Sequence, residues 1–236
     1  MILSRPTRLT TLLLKEQFME PSGFLWIIAS PAALFYFKLN ADQKQSRTPD
    51  QYLEDASWFY GYISLTLALF GFAFYLVGRR ESGFTRCFIF NPVAQRRYLF
   101  AHFCTHSAVA LIYGLLFYLV TKPAYGGYLL IEAWSISTRF YMCFVLFAGP
   151  AALLSTLPLR FQTANILFSA ILLAAFITSL TSAGESSLHP LSLTGKILQH
   201  GLCANSNIIV IALGINAAAY LFLLRIFPIH PAWQRY

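Results

Sequence analysis

Residues 78–97 read Gly78-Arg79-Arg80-Glu81-Ser82-Gly83-Phe84-Thr85-Arg86-Cys87-Phe88-Ile89-Phe90-Asn91-Pro92-Val93-Ala94-Gln95-Arg96-Arg97, a long polar gap between two apolar stretches. Five arginines and one acid make the segment too polar to cross a bilayer. Short loops rich in Arg stay on the cytoplasmic side, so this one orients the apolar stretches beside it. It also has internal order: a charged start, a run with apolar side chains, and an Asn91-Pro92 stop. Residues 81–90 are enough for about two and a half helical turns. Phe84 and Phe88, with Cys87 beside them, predict one apolar face. Pro92 cannot continue a helix and restricts Asn91 before it. A short helix held at both ends by membrane spans passes on any force applied to it. The plainer reading is a loop that orients the chain and docks nothing.

The chain has 236 residues, 57% hydrophobic and 11% charged, with a formal net charge of +8. Its mean hydropathy is +0.59. Soluble domains carry about 25% charged residues, so the composition points to a polytopic membrane protein. The positive charge sits mainly in short loops, where it orients spans; nucleic-acid binding is not expected. The four cysteines, Cys87, Cys104, Cys143 and Cys203, form no CxxC pair and read as small apolar fillers.

A spanning helix needs about 20 mostly apolar residues. Six segments qualify: 22–38, 57–77, 98–120, 140–157, 163–182 and 207–227. With the N-terminus inside, the inner segments hold eleven of the 17 Lys and Arg residues. The outer segments hold Lys38, Lys44, Arg47, Lys122, Arg139 and Lys196. That bias places both termini in the cytoplasm. The expected fold is all-α, a single domain with six transmembrane helices in a bacterial-type inner membrane.

Residues 7–20 precede the first span. Leu9, Leu12, Leu13 and Leu14 mix with Arg8, Lys15 and Glu16, which predicts a helix lying in the membrane interface, in contact with lipid. Lys15, Glu16 and Glu20 interrupt the apolar run, so a cleavable signal peptide is not expected. Glu20-Pro21 ends the helix and turns the chain into the bilayer. A basic tail without structure is the alternative. Residues 183–206 mix Leu188, Leu191, Leu193, Ile197 and Leu198 with polar residues and glycines, the pattern of an outer loop or a hairpin re-entering the membrane edge.

The string Arg80-Glu81-Ser82-Gly83-Phe84-Thr85-Arg86, followed by Asn91-Pro92-Val93, resembles the first cytoplasmic loop of type-2 ABC exporter permeases. That loop has an acid, one residue, a Gly, a hydrophobic turn with a basic residue, then Thr-Pro-Val or similar. The stretch Lys15-Glu16-Gln17-Phe18-Met19-Glu20-Pro21 is similar to the family's interfacial helix. Asn91 stands where Thr is common, and Phe88, Ile89 and Phe90 are bulkier than the usual leucines. The resemblance implies a transmembrane subunit that pairs with a second permease copy or a relative and with two cytoplasmic ATPases. Arg80, Glu81, Ser82, Gly83, Phe84, Arg86, Phe88, Asn91 and Pro92 would then form the coupling element, and Arg8, Lys15, Glu16 and Pro21 the interfacial helix. ATP and Mg would belong to the partner. In keeping with that, the sequence has no GxxxxGK[ST]; its one Gly-Lys, Gly195-Lys196, has Pro190 where the first Gly should be. The cargo expected is lipid-linked, glycan or amphiphilic.

His102 and His106 are four apart, with Cys104 between them. A metal site needs at least a third ligand, so a polar helix stretch is the expected reading and no metal is predicted. Arg139 and Glu132 flank the fourth span, too far apart for a direct pair. Arg139 either snorkels to the outer surface or meets an anionic group along a substrate path. Phe70, Phe72, Phe74, Tyr113, Phe117 and Tyr118 lie inside spans, where they either line a path or pack helices. Gly149-Pro150 predicts a kink. An intramembrane enzyme built on His102, Cys104 and His106 and a non-transporting scaffold are the readings from other classes.

Overall fold

The computed structural model describes residues 6–19, 21–42, 48–181, 189–204 and 206–228. Glu20, Lys44, Arg47 and the part of the outer hairpin at 183–188 lie outside them, as do the side chains of Pro21, Phe88 and Cys203. The described residues are helical and include no β-strand. Helix α1 spans Pro6–Met19 and α2 Pro21–Ala41. One long helix follows: a 3-10 turn at Pro49–Gln51, α3 (Tyr52–Thr66), a π-helical stretch at Leu67–Phe74 and α4 (Tyr75–Glu81). The short α5 is Phe84–Phe88 and α6 is Pro92–Thr121. Then come α7 (Leu130–Ser155), α8 (Phe161–Ser179), α9 (Pro190–Ala204) and α10 (Ser206–Ile226).

Among the described residues five helices are long and apolar enough to cross a membrane: Pro49–Glu81, Pro92–Tyr125, Leu130–Ser155, Phe161–Ser179 and Ile209–Ile226. Leu25–Ala41 is apolar but shorter. The helices overrun the sequence boundaries because charged residues continue the helix past its apolar part. Arg79 and Arg80 lie in α4, and Arg96 and Arg97 in the first turns of α6. Arg139 lies well inside α7 rather than at its edge.

The core forms where α3, the π stretch, α6 and α7 meet. Phe59, Tyr60, Ile63, Phe72, Phe117, Phe140 and Phe144 are buried there. Edge-on ring pairs such as Tyr60–Phe117, 4.8 Å between centroids, fill it. Phe72, Phe117 and Tyr118 are therefore packing residues. Helix α8 has only Ala164 and Phe168 buried, and α10 turns Val210, Ile211, Ile215 and Leu221 outward. Such one-sided apolar exposure suits lipid-facing helices.

Pro150 lacks an N–H, so the carbonyl of Leu146 one turn earlier loses its helical donor. Asn216 of α10 fills the gap. Its Nδ2 donates to Leu146 O at 3.1 Å and its Oδ1 accepts from Gly149 N–H at 2.5 Å. A Cβ on Gly149 would come within 2.8 Å of Asn216 Cα, so only glycine admits α10 this close. The predicted kink site is thus a docking point between helices.

Candidate functional site: the arginine-bearing end

Ser82 and Gly83 break the helix after Glu81. Gly83 adopts φ 76°, a left-handed conformation that side chains with a Cβ resist. The expected ten-residue helix is therefore shortened to five residues, Phe84–Phe88, and Ile89 turns extended. Phe84 packs partly against the core, as its spacing suggests. Thr85 and Ile89 are buried, whereas Cys87 is exposed. Phe84 is half-buried because the Arg79 guanidinium lies over its ring, 4.6 Å from the centroid.

Asn91 and Pro92 start α6 rather than merely ending α5. Asn91 Oδ1 accepts from Ala94 N–H at 2.7 Å as the N-cap, and Pro92 occupies the first turn, where its missing N–H costs nothing. The outward surface of this end carries Ser82, Arg86, Cys87, Asn91, Arg96 and Arg97. At its centre are two apolar side chains, Phe90 at 81% exposure and Val93 at 53%.

Arg80 does not face outward. Its side chain is fully buried and paired with Glu81, Nε to Oε1 at 3.0 Å. Nη1 donates to the carbonyls of Ser155 and Leu157, both at 2.9 Å, and Nη2 donates to that of Leu159 at 2.6 Å. These carbonyls lie at the C-terminus of α7 and in the loop to α8. A cation there satisfies orphan carbonyls and matches the helix dipole.

Arg79 joins α1 to this end. It pairs with Glu16, and both groups hydrogen-bond the Tyr75 hydroxyl: Tyr75 Oη donates to Glu16 Oε2 at 2.8 Å and Arg79 Nη2 donates to Tyr75 Oη at 2.6 Å. Leu9, Leu13 and Glu16 face the bundle, and Thr105 Oγ1 donates to Thr10 O on α1. Helix α1 thus lies against α6, with Arg8, Lys15 and Leu12 exposed. Pro21 opens α2.

A groove begins at the Glu16–Arg79 pair and runs between α2 and α8 over the π stretch. It consists of two cavities of about 490 and 510 Å³ that share Gly23, Ile27 and Phe70. The first adds Phe74, Tyr75, Tyr113 and Phe161; the second adds Trp26, Tyr62, Leu173 and Phe176. Of the aromatic residues singled out in the sequence, Phe70, Phe74 and Tyr113 line this groove.

The histidines explain part of its floor. A π-helical stretch leaves carbonyls in need of donors. His102 Nε2 lies 3.0 Å from Phe72 O, and its ring stacks on Phe72 and Tyr75. His106 Nδ1 lies 3.0 Å from His102 O. Among the described residues no three His, Cys, Asp or Glu side chains gather as a metal site.

Arg139 is far from the arginine-bearing loop in the chain and lines neither cavity of the groove. Its Nη1 donates to Leu198 O at 2.5 Å, where α9 breaks at Gly201 (φ 82°). It also borders a separate open recess of about 860 Å³ with Tyr128, Leu130 and Glu132. Helix α9 packs on α3 and α7 through Leu191, Thr194, Ile197 and Leu198, all buried. Glu132 does not pair with Arg139; it accepts from Lys122 Nζ at 2.6 Å.

Sequence reasoning missed the Glu16–Tyr75–Arg79 cluster, the inward turn of Arg80 and the role of Asn216. Only the last had a local signal, because Pro150 announces an unpaired carbonyl without saying which residue meets it.

The class that fold and site define is a helical protein whose described residues include five helices apolar and long enough to cross a membrane, with a short helix strung between two of them. No family model matches it. It is similar to Protein McbE of Escherichia coli, 26% identical over 208 residues, covering 81% of this chain and 83% of that protein. No solved structure matches.

Proposed function

We propose that this chain is the transmembrane permease subunit of an ATP-driven exporter, gripped by a separate ATP-binding-cassette ATPase at 82–97. The supporting observation is the loop geometry. Helix α5 is tethered to α4 by the two-residue turn Ser82-Gly83 and to α6 by a capped start, and it is seated by Thr85 and Ile89. Beside it the exposed Phe90 and Val93 lie in the same short stretch of chain as the exposed Arg86, Arg96 and Arg97. Exposed apolar side chains in a cationic segment fit a partner cleft with an apolar floor and acidic rim. Leu25–Ala41 completes six spans when it crosses with its flanking residues, which puts both termini in the cytoplasm of an inner membrane. ATP and Mg are handled by the partner, and a second permease copy or relative completes the path. The groove has apolar walls and an ion pair at one end, which favours an amphiphilic cargo.

The experiment is purification of the tagged chain from native membranes. An ABC-type ATPase is expected in stoichiometric amount with the wild type and is expected to be lost in Phe90→Asp without loss of the membrane chain. Wild-type chain isolated repeatedly without such an ATPase would overturn the proposal.

A further inference from the structure

Helix α8 forms one wall of the groove, and much of its surface is open: Ile166, Leu173 and Ile177 are more than half exposed. Near its middle the buried Phe168 ring packs on Phe70 and Phe74, 6.3 and 6.1 Å between centroids, a contact of rings with no hydrogen bond. Its polar ties are near its ends. At the far end Trp58 Nε1 donates to Ser179 Oγ at 3.2 Å, and Thr178 Oγ1 lies 2.9 Å from His189 Nε2. At the near end the Phe161 ring meets Phe74, with 4.5 Å between centroids. The residues leading into α8 are those whose carbonyls Arg80 holds.

Burying a guanidinium is costly unless its donors are satisfied. Here Glu81 orients it and three carbonyls receive it. The planar fork of arginine makes such multiple bonding possible, and the ammonium of lysine does not reproduce it. Only Glu81, Ser82 and Gly83 separate Arg80 from α5.

We infer that Arg80 is the positioning residue that ties α8 to α5: displacement of α5 passes through the three carbonyl bonds to the α7–α8 loop, and α8 pivots on its Trp58–Ser179 contact to widen or narrow the groove. This rests on the proposed function only for what displaces α5. The tie itself is a property of this chain.

The test uses the full-length chain in lipid nanodiscs, with spin labels at Ser30→Cys and Ser169→Cys, which face the groove from α2 and α8. The four native cysteines are replaced by serine or alanine. In the chain alone, Arg80→Gln is expected to broaden the distribution of label separations about twofold, and Arg80→Lys by less. With the ATPase and ATP present, the parent chain is expected to shift its separation. Arg80→Gln is expected to retain the ATPase, lose the shift and export about tenfold more slowly. An unbroadened distribution in both variants overturns the inference, as does a full ATP-dependent shift in Arg80→Gln. Where the parent chain recruits no ATPase, the proposed function fails and the widths alone still decide the tie. Where Arg80→Gln does not accumulate in the membrane, Arg80→Lys carries the same comparison.

Discussion

The two most deeply buried cations, one at each end of the bundle, are held by different chemistry. At the end bearing the arginines, Arg80 holds three carbonyls, and Asn216, deeper in the bundle, serves Leu146 and Gly149 in the same manner; the neighbouring Arg79 instead meets the side chains of Glu16 and Tyr75. At the opposite end the buried cation meets side chains. Lys122, almost fully buried, pairs with Glu132 and lies 4.9 Å from the Tyr52 ring centroid. Tyr52 Oη bonds Tyr60 Oη at 2.9 Å and Thr121 Oγ1 at 2.8 Å. Lys38 and Tyr125 both hold Asp55, at 3.1 and 2.6 Å. A side-chain pair can be swapped or replaced as a pair. A side chain bound to backbone has a partner that mutation cannot change, so its loss has no simple rescue.

Breaking the first kind of fastening is expected to cost most. Gly149→Ala drives a methyl into Asn216 and loses its hydrogen bonds, with an expected loss of about 4 kcal/mol in detergent unfolding. Asn216→Leu removes the donor and acceptor without overpacking, with about 3 kcal/mol lost in the same measurement. The second kind separates from the first by rescue. Lys122→Met takes the cation from Glu132 and leaves it only the Tyr118 hydroxyl, 3.1 Å from Oε2, so it should cost about 2 kcal/mol. Adding Glu132→Met should restore much of that loss, measured as a double-mutant cycle. No second substitution is expected to restore Asn216→Leu, and one that did would erase the distinction between the ends. Smallest is Asp55→Asn. Lys38 is 44% exposed, so solvent screens the ion pair, and the loss should be about 0.5–1 kcal/mol, shrinking with salt.

The sequence displayed the helices well and the ties poorly. Apolar length marked where long helices lie, because it follows from local composition, but the starts of several were placed late: α6 begins at Pro92 against an expected 98, and α7 at Leu130 against 140. The loop at 78–97 was legible as a break between helices, since Gly83 and Asn91-Pro92 act locally. Which of its residues face outward was not legible. Phe84 is partly buried as its spacing suggests, but Thr85 and Ile89, which the spacing did not mark, are the fully seated side chains beside it. Arg79 and Arg80 are neighbours of like charge, yet one joins α1 and the other joins the α7–α8 loop. Those destinations are set by elements far along the chain. His102 and His106 similarly match a metal pattern by spacing, and the π stretch they serve has no mark in the sequence.

That wide stretch has a consequence for the arginine-bearing end itself. In an α-helix each added residue turns everything beyond it by about 100°. The π segment at Leu67–Phe74 therefore sets the clocking of α4, two turns before Arg79 and Arg80 emerge. Were the same residues wound as ordinary α-helix, the two arginines would point in other directions, and the α7–α8 carbonyls would be left without their cation although no charge had been deleted. The pair of arginines is aimed from the middle of the bundle.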